Sequence, residues 1–295
     1  MRRAILITII FYCSFNLTEA QRINQENTSG KTSFLLGIIN KEGLTSTNYN
    51  SWFSKNYDDY QPEESVINEL VKNLKDYDIL LFMGTWCGDS KREVPRFYKI
   101  LETANFPMEK LTAVALSNKA GMYKKSPGHE EKGLNIHRVP TFIFFKDGKE
   151  VNRIVEEPVD NLEKDILEII TSNTYESNYQ IVTVVDDILK KKGINGFKRQ
   201  QKKLLKKYGN EVSSMFELNT YGRILFADQK IEESLAVFEF NTKLFPDQPR
   251  AYMSFANTLG ASGHKDKAIS VLETAITIHP ENDDLKENLG VIKSN

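Results

Sequence analysis

Residues 77–83, YDILLFM, constrain the fold more than any other stretch of this chain. A strand with one wet face alternates apolar and polar side chains, whereas Ile79 to Met83 are apolar without a break. Such a run, too short for a helix, reads as a central strand covered on both faces, which requires layers on either side of a sheet. The flanking sequence supplies them. SFLLGIIN (33–40), LTAVAL (111–116) and VPTFIFF (139–145) read as further buried strands, and KDG turns the last of these into a fourth, KEVNRIV. Helices are predicted over EESVINELVKNL, started by Pro62, over 88–104, where Val94, Phe97, Tyr98 and Leu101 recur at helical spacing, and over VDNLEKDILEIITSN. The order is that of an α/β unit with a mixed sheet flanked by helices, ending near residue 175. Residues 21–33 are polar and read as mobile. The aromatic segment NYNSWFSKNYDDYQP reads as a loop packed onto the core.

The chain has 295 residues, enough for one large domain or two ordinary ones. With 39 Lys plus Arg against 40 Asp plus Glu, it lacks the basic surplus that nucleic acid as a main ligand demands. Its start reads as an export signal over 1–20: Arg2 and Arg3, the apolar stretch AILITIIFYCSF, then Ala20 at a cleavage point. Twelve apolar residues are fewer than the roughly 20 a membrane span needs, so a retained anchor is the lesser reading. Cys13 lacks the small residues that precede a lipid-attachment cysteine. Export implies a periplasmic or extracellular protein. Removal after Ala20 leaves Cys87 without an internal disulfide partner, so it is a working thiol or a vestige, not a staple.

Cys87 stands in MGTWCGDSKREVP, where the central strand gives way to a helix. A cysteine there meets unpaired N–H groups and the positive end of the helix dipole, which favour thiolate. Lys91 and Arg92 add positive charge, opposed in part by Asp89 and Glu93. TWCGDS, followed by HRVPTFIFFKDGKEV, a strand hairpin and a last helix, resembles the thioredoxin family over roughly residues 65–172. The resemblance implies a thioredoxin-like α/β domain in which Pro140 is cis and faces the active thiol. Trp86 then shields one side of that thiol, and Val139 with Thr141 flanks the docking segment for an extended substrate. Three departures stand together: Ser90 replaces the family's second cysteine, Leu81 its buried aspartate, and LTAVAL lacks that aspartate's lysine partner. A mixed disulfide on Cys87 therefore has no internal resolving thiol. Ser90 can at most offer a hydrogen bond to the thiolate. The uses left open are exchange completed by an external thiol reductant, covalent trapping of a client, or a silent binding domain. C-G-x-S also occurs in cluster-holding monothiol glutaredoxins, but Trp86 and the strand order speak against that.

Beyond residue 175 the chain is helical and repeats. On a 34-residue frame Tyr221 matches Phe255, Gly222 Ala256, Leu225 Leu259, Ser234 Ala268, Phe238 Leu272 and Pro246 Pro280. This pattern resembles the tetratricopeptide repeat. The expected organisation is therefore an extension packing on the sheet (21–64), the thioredoxin-like domain (65–175), a degenerate helical hairpin (176–214), two all-α tetratricopeptide-like helical repeats (215–282) and a capping tail (283–295). KKKGINGFKRQQKKLLKK (190–207) carries no acid; it reads first as a solvated helix face, and below that as a surface for an acidic protein or an anionic membrane. The histidines His129, His137, His264 and His279 lack metal-ligand spacing, and HEEKGLNIH reads as solvated loop. No metal and no cofactor is expected. The expected function is thiol–disulfide exchange on protein clients bearing disulfides or thiols, with catalytic Cys87, Ser90 and Pro140, substrate contacts at Trp86, Val139 and Thr141, and a protein partner recruited by the repeats. The competing reading is a scaffold whose two domains only bind.

Overall fold

A computed structural model describes residues 23–30 and 32–294. The export signal expected over 1–20 lies outside the described residues. The described residues open with a hairpin of a polar strand, β1 (Gln25–Ser29), and a buried apolar one, β2 (Thr32–Ile39), turning at Gly30, whose φ of 62° suits glycine. A short helix α1 (Lys41–Leu44) leads to α2 (Asn50–Asp58) and α3 (Glu64–Asn73). Then follow β3 (Asp78–Met83), α4 (Gly88–Thr103), β4 (Leu111–Ala115), β5 (Thr141–Lys146), β6 (Lys149–Val155) and α5 (Leu162–Thr171).

The six strands form one sheet in the order β1-β2-β4-β3-β5-β6. Only β3 and β4 run parallel; the other neighbours are antiparallel. The unbroken apolar run of β3 is explained by its central place. Ile79, Leu81 and Met83 point into a core shared with α2 to α5, while Phe82 points to the opposite face with Val114, Val139 and Ile143. Burying a residue of this size on each side is worth about 1.5–3 kcal/mol per side chain, which is why no polar residue interrupts it.

Two N-terminal expectations change. Residues 25–29 form an edge strand rather than a mobile tail; an edge strand wets both faces, so its polar sequence carried no strand signal. The extension therefore supplies two strands of the sheet as well as packing on it. The aromatic segment is helix α2, not a loop. Phe53 and Tyr57, four residues apart, meet α4: the Phe53 and Tyr98 rings lie 5.9 Å apart, and the Tyr57 hydroxyl donates to Glu102.

The remainder is helical: α6 (Gln180–Tyr208), α7 (Phe216–Ala227), α8 (Ile231–Leu244), α9 (Pro249–Ala261), α10 (Lys265–Ile278) and α11 (Asp283–Ser294). Gly193, at φ 62° and ψ −174°, breaks α6 into two helical segments. Lys190 and Lys191 in its basic stretch pair with Asp186 and Asp187 one turn back. Helices α7 and α8 pack as one pair and α9 and α10 as another, with α11 against the second pair. Gly222 lets α8 approach closely, since a Cβ there would meet the Phe238 ring at 2.9 Å. The equivalent small residue Ala256 is fully buried in the second pair. The region is thus helical and compatible with a repeat array. Among the described residues no helix is long and apolar enough to cross a membrane.

The helical region also touches the sheet unit through the loop between β4 and β5. Lys125 Nζ donates to the Ala227 carbonyl at 2.9 Å and pairs with Asp228 at 3.1 Å. Arg138 Nη2 donates to the Phe216 carbonyl at 3.2 Å.

Candidate functional site

Cys87 is the N-cap residue of α4, with extended backbone (φ −90°, ψ 130°), and its carbonyl accepts the first helical hydrogen bond, from Lys91 N–H at 3.1 Å. The turn that delivers it is fixed from behind. Cys87 N–H donates to the Gly84 carbonyl at 2.9 Å, and Thr85 Oγ1 accepts the Leu35 N–H at 3.0 Å. Gly84 is required by its neighbour: a Cβ there would lie 2.5 Å from the Trp86 ring. Trp86 Nε1 donates to the Leu116 carbonyl at 2.8 Å, holding the indole in the apolar cluster that also takes Cys87 and Val139.

The thiol is half-buried and faces the start of β5. Its Sγ–H donates to the Val139 carbonyl at 3.2 Å, and the Val139–Pro140 peptide bond is cis. Asp89 Oδ2 lies 3.9 Å from Sγ, itself held by Arg92 at 3.0 Å. Two roles narrow on geometric grounds. Val139 and Thr141 are both buried, and of the two it is the Val139 carbonyl that meets the thiol. Thr141 Oγ1 donates to the Arg138 carbonyl at 2.8 Å, which fixes the turn before Pro140. Ser90 is fully buried and its Oγ accepts the Gly84 N–H at 3.2 Å, so its oxygen steadies the turn ahead of the thiol rather than bonding Sγ. Leu81 sits deep in the core beneath, cross-strand from Phe142. The structure thus brings Cys87, Trp86, Val139 and Pro140 to one place, with Ser90 and Thr141 one layer behind.

Two buried polar residues of the β4–β5 loop, His137 and Lys124, are not legible in the sequence. HEEKGLNIH reads as solvated loop, yet its His137 is 4% exposed, with Nδ1 3.2 Å from the Asn135 carbonyl and its ring edge against Tyr179. Burial, with Lys124 nearby, pushes its pKa from 6.5 down to about 3. The ring therefore stays neutral in the fold while the unfolded chain takes up a proton below pH 6.5. Stability is complete above pH 6.5 and falls as pH drops toward 3, by about 1.4 kcal/mol per pH unit at most. Urea unfolding of wild type and His137→Phe between pH 4 and 7 checks this: the wild type should lose stability with acid, and the variant should have a flatter profile over that range. Lys124 is buried nearby, with its Nζ donating to the His137 carbonyl. No local sequence signal marks either residue, because loop charge says nothing about depth. Among the described residues no three His, Cys, Asp or Glu side chains gather in a way that could hold a metal.

No protein-family model matches the chain. It is similar to a thioredoxin of Malassezia sympodialis, with 30% identity over 80 residues, 26% of this chain and 66% of that protein. It is also similar to a thioredoxin-like protein of Acanthamoeba polyphaga mimivirus, with 31% identity over 90 residues, 30% of this chain and 60% of that protein. A thioredoxin of Aspergillus fumigatus shares 27% identity over 93 residues, 32% of this chain and 77% of that protein. The chain spans less than two thirds of the length of the first two relatives. These likenesses support a thiol-redox role in general terms and add to the sheet order and the helix-capping thiol. The chain carries a thioredoxin-like domain followed by a helical region.

Proposed function

We propose that this is an exported monothiol thiol–disulfide exchange protein that acts on protein clients through Cys87. The observation that carries the reading is the placement of a half-buried thiol at the N-cap of α4, 3.2 Å from the Val139 carbonyl beside Pro140, with Ser90 where a resolving thiol would stand. The Cys87 thiolate attacks one sulfur of a client disulfide; a Cys87–client S–S bond forms, the client's own S–S bond breaks, and the second client sulfur leaves as thiolate with the electron pair. An external thiolate then attacks the mixed disulfide and releases Cys87. For net reduction two external thiols supply the two electrons and end as one disulfide. For isomerisation the client's own thiol releases Cys87, and no net oxidation occurs.

Pro140 and the backbone of Val139 form the edge along which an extended client segment docks, in the manner of an added strand. Trp86 covers the flank of the thiol. The paired helices of the C-terminal region act as tetratricopeptide-like repeats that recruit a protein partner. Incubation of the mature chain with a disulfide-bonded protein and increasing glutathione tests the reading. Turnover is expected to rise with added thiol and to be absent without it, and turnover independent of added thiol contradicts the monothiol cycle.

A further inference from the structure

We propose that Arg138 is a positioning residue through which the helical region holds the client-docking edge, Val139 and Pro140, beside Cys87. The inference rests on the reading of Cys87 as the exchanging group. Arg138 comes directly before Val139, whose carbonyl receives the Cys87 S–H at 3.2 Å. Arginine side chains ordinarily lie in solvent, but this one is only 20% exposed and meets three separate elements. Its Nη1 donates to Glu156 Oε1, just after β6, at 3.1 Å. Its Nη2 donates to the Phe216 carbonyl, at the head of α7, at 3.2 Å. The guanidinium carbon lies 4.8 Å from the centre of the Tyr179 ring, at the head of α6. The main chain is fixed as well, since the Arg138 carbonyl accepts from Thr141 Oγ1 at 2.8 Å.

Glu156 closes the segment from the other side. Its N–H donates to the Pro140 carbonyl at 2.7 Å, and its carboxylate accepts from both Arg138 and the Tyr179 hydroxyl. It does so with a left-handed backbone, φ 67°, which a non-glycine residue keeps only where its contacts over-determine it. The docking edge is thus held before by Arg138 and after by Glu156, and those two are held to each other. Removing both charges from water offsets much of their attraction, so the pair contributes register more than stability. A planar guanidinium with its donors fixed in a fork suits that use, because it engages a carboxylate and a carbonyl at once. Of its three partners, Tyr179 and Phe216 belong to the helical region, so the docking edge is incomplete without that region. An extended client segment, which pairs along the edge, needs this register; a small disulfide, which needs only the sulfur, does not.

The test compares two mixed disulfides of thionitrobenzoate, one with the cysteine of an extended peptide and one with free cysteine. The Cys87 thiolate attacks the cysteine sulfur of either compound. A Cys87–cysteine S–S bond forms, the original S–S bond breaks, and thionitrobenzoate leaves as the coloured thiolate with the electron pair. In the full chain the ratio of peptide rate to cysteine rate is expected to fall about tenfold in Arg138→Met, through a higher half-saturating peptide concentration rather than a slower limiting step. Tyr179→Phe keeps the ring beside the guanidinium and loses only the hydroxyl to Glu156, so it guards against misfolding of the first variant; its ratio should fall about twofold. An unmoved ratio in the folded variants, or an equal loss on both compounds, overturns the proposal. Backbone amide exchange gives a second readout that needs no thiol chemistry. The Glu156 N–H, donor to the Pro140 carbonyl, should exchange about tenfold faster in Arg138→Met while the amides of β3 keep their rates. An unmoved Glu156 amide overturns the proposal as well. If the wild-type thiol releases thionitrobenzoate from neither compound, the exchange reading is lost and amide exchange alone decides this one.

Discussion

Cys87→Ser is expected to reduce exchange on any disulfide substrate to the rate of buffer and thiol alone, because a serine oxygen can neither form nor resolve an S–S bond. The loss should come without much loss of fold. Cys87 is half-buried, its thiol donates to the Val139 carbonyl at 3.2 Å, and a serine hydroxyl can take the same acceptor. A stability change within about 1 kcal/mol is expected, as for a substitution outside the packed core. The variant also separates the two functional classes. If it abolishes activity in the cell while binding of the helical region to its partner persists, chemistry is the function. If it is silent while substitutions on the exposed faces of α7 to α10 are damaging, the chain is a scaffold.

Phe142→Ala carries the largest expected structural effect. Phe142 is fully buried, stacked at a tilt on Phe97 with ring centroids 4.4 Å apart, and paired across the sheet with Leu81 and Ile154. It follows Pro140 by two residues, so the same side chain that fills the core fixes the start of β5. Removing a buried phenyl ring costs about 3–5 kcal/mol. Against a total stability of about 5–15 kcal/mol that is a large fraction. The thermal midpoint of the sheet unit should fall by about 6–20 °C. Differential scanning calorimetry checks it; a fall of less than a few degrees would mean the core collapses around the gap more readily than close packing allows. Exchange activity should follow the folded population and recover on cooling.

What could be read from the sequence depended on whether a residue's role is local. The central strand announced itself because both faces of β3 are covered, and the thiol announced itself because a strand-to-helix junction is visible in DILLFMGTWCGDS. The 34-residue period was visible because small residues recur where helices meet, as Gly222 does against Phe238. The misses share one cause: their structure is decided by what lies across the fold. β1 is a strand only because β2 is there to pair with it, and α2 is a helix whose aromatic content gives weak helix propensity but fits the groove beside α4. Lys124 and His137 owe their depth to contacts across the fold, the Lys124 amine meeting the His137 carbonyl and the His137 ring meeting Tyr179, and loop composition does not announce that.

With Ser90 in place of a second cysteine, a mixed disulfide on Cys87 is expected to be one that this chain cannot itself resolve. Intact-mass measurement of the chain from residue 21 onward, after exposure to oxidised glutathione, is the sharpest test. One glutathione adduct is expected, located on Cys87 by peptide mapping, that persists for hours after the excess is removed and disappears when free thiol is added. Absence of any adduct across pH 6–9, or its decay without added thiol, would contradict exchange through an unresolved mixed disulfide on Cys87.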